Sequence, residues 1–251
     1  MQQLQTPHSK LHTSEFFGRR KGRPLRKRKE NLLQEMLPEK LIVLEKIASL
    51  LENKRVWLEI GFGNGEHLAE LAAKNPEVLF IGCEPFINGI AGLLALIEKN
   101  NLNNIYIFNE DARLLLRALP DNSIEKCFIL FADPWPKARH AKRRFICKST
   151  LELLHRVMLD KGVLQTASDH PVLIEWIKEQ FSLSPFFEEV YSGYTEPKDW
   201  CETKYQRKAL AAGRACFYMN HLNLHHHNYC GDKNAESCKN CQTSVQKKPT
   251  D

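Results

Sequence analysis

The residues best suited to chemistry lie together in Phe131-Ala132-Asp133-Pro134-Trp135-Pro136-Lys137, followed by Ala138-Arg139-His140-Ala141-Lys142-Arg143-Arg144. Prolines at 134 and 136 exclude helix and hold the backbone extended, so Asp133 and Trp135 are presented as a pair. A carboxylate can accept from the N1–H and N2–H of guanine, and an indole offers a stacking face to a base taken out of its stack. Lys137 can donate to O6 or to a phosphate. A proline-stiffened loop with a capping aspartate would look the same taken alone. The basic run from Arg139 to Arg144, with no acid among its residues, favours contact with a polyanion.

A second group lies upstream, in Glu59-Ile60-Gly61-Phe62-Gly63-Asn64-Gly65. Glycines there let the chain turn tightly after a strand and bring the backbone close to a ligand at the carboxyl edge of a parallel sheet. A dinucleotide fingerprint would place a third glycine at position 66, which is Glu66, and a negative charge there argues against a pyrophosphate. The ligand expected is one without phosphate. Glu84 closes the next strand, where a carboxylate can accept from both hydroxyls of a ribose, and Asp111 follows the third, where it can accept from an adenine amino group. Each can also serve as a helix N-cap. Three such sites at consecutive strand ends point to one nucleoside pocket. A last cluster joins Ser168-Asp169-His170 to Thr203-Lys204-Tyr205-Gln206, with Asp169 fitting a cap before Pro171 or a substrate contact equally well.

The elements that must position these residues follow a βαβ rhythm. Strands are expected at 56–60, 78–83, 105–109, 127–132 and 162–167, and helices near 66–74, 86–99, 112–119, 143–159 and 171–181. That order implies an α/β, Rossmann-like fold with a mainly parallel sheet and helices on both faces. Weaker runs at 187–191 and 215–219 can add antiparallel strands, for seven in all. Before the first strand, Leu41, Leu44, Ala48 and Leu51 sit at helical spacing within 38–51. The resulting division is a basic arm (1–30), a catalytic domain (31–220) and a polar tail (221–251).

Of 251 residues, 43% are hydrophobic, enough for one substantial core. The net charge of +6 is concentrated at the start, where residues 1–30 carry nine Lys/Arg against Glu15 and Glu30. Eight of the eleven residues from Arg19 to Lys29 are cationic, a composition suited to condensing on a phosphate backbone, although a solvated tail has the same character. The longest uncharged apolar run, Phe86 to Ile97, is too short to span a bilayer. No secretory leader is legible, so a cytoplasmic protein without structural disulfides is expected.

With these residues in hand, the chain resembles the bacterial tRNA (guanine-N7)-methyltransferases, a class I S-adenosylmethionine-dependent family, from Phe17-Gly18-Arg19-Arg20-Lys21 to about Met219. The motifs carrying the resemblance are Leu58-Glu59-Ile60-Gly61-Phe62-Gly63, Asp133-Pro134-Trp135-Pro136-Lys137, Arg139-His140-Ala141-Lys142-Arg143-Arg144 and Thr203-Lys204-Tyr205. The resemblance implies methyl transfer from S-adenosylmethionine to N7 of the guanine at position 46, in the variable loop of tRNA. It implies a cofactor site of Glu59, Gly61, Gly63, Glu84, Asp111 and Asp133, with Asp133 the active-site residue. It assigns Lys137, Asp169, Thr203, Lys204, Tyr205 and Gln206 to the substrate, and Arg139, His140, Ala141, Lys142, Arg143 and Arg144 to RNA. The family's last motif usually ends in glutamate, whereas this chain has Gln206.

The residue inventory suits that chemistry, because guanine N7 carries a free lone pair and no proton, so no general base is needed. Two other readings share these features: an amino-group methyltransferase, whose D-P-P-[YFW] loop Asp133-Pro134-Trp135 resembles, and a non-catalytic RNA-binding module. tRNA is the partner expected, with no membrane, no obligate protein partner, and a monomer or homodimer. In the tail, Cys238-Lys239-Asn240-Cys241 can hold one side of a tetrahedral zinc site that Cys230 and a histidine of His225-His226-His227 would complete, but the spacing is irregular; a flexible tail without metal is the expectation, and truncation after Asn220 is predicted to spare activity.

Overall fold

The computed structural model describes residues 16–198 and 200–225. Its first helices are α1 (Lys27–Glu35), α2 (Leu37–Lys40) and α3 (Ile47–Leu51). The continuous helix expected over 38–51 is broken instead: Leu41 forms a β-bridge to Ile107, the Ile42 N–H donates to the Ile107 carbonyl, and a 3-10 turn covers Leu44–Lys46. Pairing with the sheet edge wins over helical spacing because it satisfies backbone groups at a buried site.

The alternating core then follows as β1 (Val56–Ile60), α4 (Glu66–Lys74), β2 (Leu79–Cys83), α5 (Ile87–Asn100), β3 (Ile105–Phe108), α6 (Ala112–Ala118), β4 (Ile124–Leu130), α7 (Lys148–Val157), β5 (Met158–Ser168) and α8 (Pro171–Ser182). The chain closes with β6 (Phe187–Gly193), α9 (Lys204–Ala211) and β7 (Phe217–Asn223). The seven strands form one sheet in the order β3-β2-β1-β4-β5-β7-β6, with β7 antiparallel to both neighbours and the first five strands parallel.

Strand parity explains the two cores. In β1, Val56, Leu58 and Ile60 face one side, where they join Leu115 of α6, Leu154 of α7 and Ile177 of α8. Trp57 faces the other side with Phe80 and Phe128, beneath Leu68 of α4 and Leu93 of α5. The near-continuous apolar strands follow from burial on both faces.

Several boundaries move: α1 spans the division expected at 30/31, α7 starts at Lys148 and β5 already at Met158, inside the helix expected over 143–159. β4 ends at Leu130, before the expected Ala132, because Phe131 takes a left-handed φ of 53°. β7 runs through Asn223, so the boundary expected at 220/221 falls inside a strand: His221 and Leu222 pair with β5, and Leu222 and Asn223 with β6. Asn223 is buried, and its amide donates to the carbonyls of His155, Met158 and Leu159. The remaining zinc-ligand candidates, from His226 onward, lie outside the described residues. Cys83, Cys127, Cys147, Cys201 and Cys216 are free thiols. Among the described residues no helix is long and apolar enough to cross a membrane.

Candidate active site

A cavity of about 530 Å³ opens at the carboxyl edge of the parallel strands, and Gly61, Gly63, Glu84, Asp111, Asp133, Trp135 and Tyr205 line it. Its first wall is the turn after β1. Gly61, Gly63 and Gly65 have φ of 79°, 58° and 79°, a left-handed conformation that side chains disfavour. A Cβ at Gly61 would meet no atom within 4 Å, so this backbone faces open cavity. The turn is also pressed onto α5: a Cβ at Gly89 would lie 2.1 Å from the Gly63 carbonyl oxygen.

Glu84 is fixed from two sides. The Gly63 N–H donates to its Oε2 at 2.9 Å and the Phe86 N–H to its Oε1 at 3.0 Å. Burial pushes its carboxyl above the usual range, opposed by these two donors and reinforced by nearby Asp133 and Glu59. Asp111 does both things its position allows. It caps α6 by accepting from the Arg113 N–H at 3.0 Å, it pairs with the Arg113 guanidinium, and it lines the cavity.

Glu59 departs from expectation, since it is not among the residues lining the cavity. Its position in β1 shares the parity of Trp57, so the side chain lies under α4, where His67 Nδ1 is 2.8 Å from its Oε2. Both side chains are only 4% exposed. The acid of this motif is engaged in a buried contact between β1 and α4.

The opposite wall is the loop from Phe131 to Lys137. Phe131 and Trp135 hold φ of 53° and 40°, and a non-glycine residue there costs roughly 1–3 kcal/mol unless its surroundings impose it. The Phe131 N–H is tied to the Ala167 carbonyl at 2.7 Å. Arg144, which sequence assigned to RNA, is 6% exposed and turned inward, donating to the carbonyls of Pro134 at 3.2 Å and Trp135 at 3.1 Å. Arg143 lines the cavity, with its guanidinium 4.7 Å from the Trp135 ring centre and 5.4 Å from that of Phe17. Lys137, Arg139 and Lys142 are exposed, and Ala141 is half-buried. His140 packs edge-on against Trp135; desolvation and then Arg143, Arg139 and Lys137 lower its pKa.

The expected substrate cluster separates. Asp169 is no cap: it accepts from Arg214 Nε at 2.7 Å, and His170 precedes α8 without a side-chain cap. Thr203 caps α9 by accepting from the Gln206 N–H, and Gln206 reciprocates toward the Thr203 N–H. Gln206 is 1% exposed, accepts from Trp200 Nε1 and donates to Glu196. Lys204 is half-buried at the start of α9. Tyr205 alone of this motif reaches the cavity, its ring lying over Gly63; burial and then Glu84 and Asp133 raise its pKa.

Sequence reasoning missed a further wall. Phe16, Phe17, Gly18 and Arg19 line the cavity, and the following residues are tied to α5 by the Ile87 N–H donating to the Arg20 carbonyl and by Asn88 bonding Gly22 and Arg23. The available signal was the aromatic pair Phe16-Phe17 just ahead of the basic run.

A family model described as a putative methyltransferase matches residues 53–219. A tRNA (guanine-N(7)-)-methyltransferase of Paramagnetospirillum magneticum is 42% identical over 216 residues, covering 81% of this chain and 91% of that protein. One of Caulobacter vibrioides is 41% identical over 212 residues, covering 82% and 92%. Among solved structures, a 16S rRNA methyltransferase aligns with a TM-score of 0.53 at 15% identity over 70% of this chain and 92% of its own. An antibiotic-related methyltransferase aligns with a TM-score of 0.52 at 17% identity over 72% and 95%. At such identities these two establish the fold alone.

Proposed function

The chain belongs to the tRNA (guanine-N(7)-)-methyltransferase family, and we propose from that premise how its own residues methylate guanine N7 in tRNA. The donor is S-adenosylmethionine, and the cavity fits it. The bare backbone at Gly61 leaves room against the sheet edge, Glu84 offers a fixed acceptor for ribose hydroxyls, and the acidic lining of Glu84, Asp111 and Asp133 suits a cation. When bound, the cofactor supplies a methyl group made electrophilic by its sulfonium.

The observation that carries the reading is the convergence of Glu84, Asp133 and Trp135 on one cavity from opposite sides of the sheet edge. Trp135 offers a stacking face to the base, and Asp133 an acceptor for its N1–H and N2–H. As N7 gains a methyl group the purine becomes cationic, and the Asp133 carboxylate stabilises that charge where it develops. No residue removes a proton from N7, because none is there, so orientation dominates the rate. Exposed Lys137, Arg139 and Lys142 meet phosphate and hold the tRNA in register. The reaction takes place in the cytoplasm on guanine 46 of the variable loop, with the protein acting as a monomer or homodimer without an obligate partner. The amino-group and non-catalytic readings find no support in the relatives.

Incubating the purified protein with unmodified tRNA and S-adenosylmethionine, then digesting to nucleosides for mass spectrometry, tests this. We expect 7-methylguanosine, mapped to position 46 by cleavage at the modified base. A methylated adenine or cytosine, or no transfer at all, overturns the reading.

A further inference from the structure

We propose that Arg144 is a positioning residue for the Asp133–Trp135 loop and takes no part in binding RNA phosphate, although it ends a basic run. The inference rests on reading that loop as the one that handles the base. Arg144 is almost fully buried, and it is not among the residues lining the cavity. Its guanidinium sends Nε–H to the Pro134 carbonyl and a terminal N–H to the Trp135 carbonyl, two successive acceptors on the loop. Its Cζ lies 4.6 Å from the ring centre of Trp176, whose Nε1–H is fixed in turn by the Ile146 carbonyl at 2.7 Å. The fork is therefore immobilised against a side chain of α8 before it reaches the loop.

The two carbonyls belong to the peptide groups on either side of the Trp135 Cα, the residue held at a φ of 40°. Neither proline supplies an N–H to tie the loop internally, so these accepted bonds oppose relaxation of Trp135 to an ordinary φ from the backbone side, while Arg143 and His140 pack on its indole. Relaxation would swing the indole and shift Asp133 relative to Glu84. Lysine cannot replace the device, since an ammonium is a point donor on a flexible stem and lacks the planar fork that meets two acceptors and stacks on an indole.

The test uses the full chain with Arg144→Lys, Arg144→Ala, Trp176→Leu and, as reference, Asp133→Ala. Arg144→Lys is expected to lower kcat about tenfold or more, in keeping with the rate cost of small misplacements, while KM for tRNA and the slope of log affinity against log salt stay at wild-type values. Millimolar guanidinium should restore part of the kcat of Arg144→Ala, and Trp176→Leu should give a milder fall in kcat with the same salt slope. A slope flattened by about one with kcat unchanged makes Arg144 a phosphate contact and overturns the proposal. Wild-type turnover in Arg144→Lys overturns it too. Failure of both Arg144 variants to fold, with full turnover in Trp176→Leu, also does so, leaving a purely structural residue. Persistent turnover in Asp133→Ala sinks the underlying reading of the loop instead, and so distinguishes the two failures.

Discussion

The two walls of the cavity are built by different means. On the side of β1 and β2, position is set by backbone: three glycines with left-handed φ, a turn seated on α5, and two N–H groups that fix Glu84. On the side of β4, β5 and α9 it is set by side chains: Arg144 braces the Asp133 loop, Thr203 and Gln206 cap α9 beneath Tyr205, and Asp169 is spent on Arg214. Backbone construction suits a ligand that is the same in every turnover. Side-chain construction tolerates a loop in strained conformation, and strain must be imposed from outside. The walls should accordingly fail in different ways.

The largest effect is expected on the side-chain wall. Asp133→Ala removes the carboxylate from the developing purine charge, so kcat should fall roughly 10²–10³-fold, the range seen when one preorganised electrostatic contact is deleted. Cofactor affinity should change far less, because Gly61 and Glu84 are untouched, and calorimetry alongside turnover separates the two. Equal losses in both would mean that Asp133 serves the cofactor more than the base.

The backbone wall should fail in the opposite pattern. Gly89→Ala places a methyl group 2.1 Å from the Gly63 carbonyl oxygen, and a backbone oxygen can escape only if the whole turn moves. Overpacking of this kind costs about 1–3 kcal/mol, and since the turn lines the proposed cofactor site, affinity for S-adenosylmethionine should drop about tenfold. The tRNA affinity should be retained. Wild-type cofactor binding in a folded Gly89→Ala protein would show that the turn adapts and that its geometry is not set by α5.

The same contrast governs what could be read from sequence. β1 and α4 fall where periodicity places them, and the glycine spacing marks a turn with one physical meaning. The prolines marked the loop of Asp133 and Trp135, but the extended backbone they led one to expect is not formed at Trp135, whose φ is 40°. The role of Arg144 was not legible, since a buried brace and an exposed phosphate contact have the same identity and differ only in which way the side chain points. Glu59 misled for a related reason: strand parity carries it under α4 to His67. Nor did composition show that 221–223 finish the sheet, because a strand with polar residues at buried positions depends on partners distant in sequence, such as Asn223 on Met158.

Gln206 sharpens the comparison at intermediate cost. The amide donates to Glu196 while accepting from Trp200, so at this position a neutral side chain complements a neighbouring acid. Glutamate, the residue expected from the family's motif, would oppose two carboxylates in a site that is 1% exposed at residue 206. Gln206→Glu should lose roughly 2–3 kcal/mol of stability at pH 8 and recover part of it near pH 5, where the new carboxyl can protonate. The double change Gln206→Glu with Glu196→Gln should restore most of the loss. A fully stable single variant would show that the Glu196 contact contributes nothing.

The last test asks how the side-chain half behaves in acid. His221 of β7 is buried face-to-face on Phe181, with ring centres 3.5 Å apart, and burial lowers its pKa from 6.5 to about 4. Its Nδ1 has no partner among the described residues, and Glu189, with Oε2 at 3.9 Å from Nε2, is the acid facing it. The folded protein therefore holds this ring neutral at pH values where the unfolded chain takes up a proton. Its contribution is complete above the unfolded value near 6.5, declines as pH falls from 6.5 toward 4, and is flat below. Between pH 7 and pH 5 the linkage amounts to about 2 kcal/mol. Glu84, with its raised pKa, acts in the opposite sense, so the contribution must be isolated by difference. Urea denaturation of wild type and His221→Gln at both pH values should show the wild type losing about 2 kcal/mol more on acidification. Parallel losses in the two proteins would mean that His221 is protonated in the fold, paired with Glu189, and that the β6–β7 edge is not the acid-labile part of the sheet.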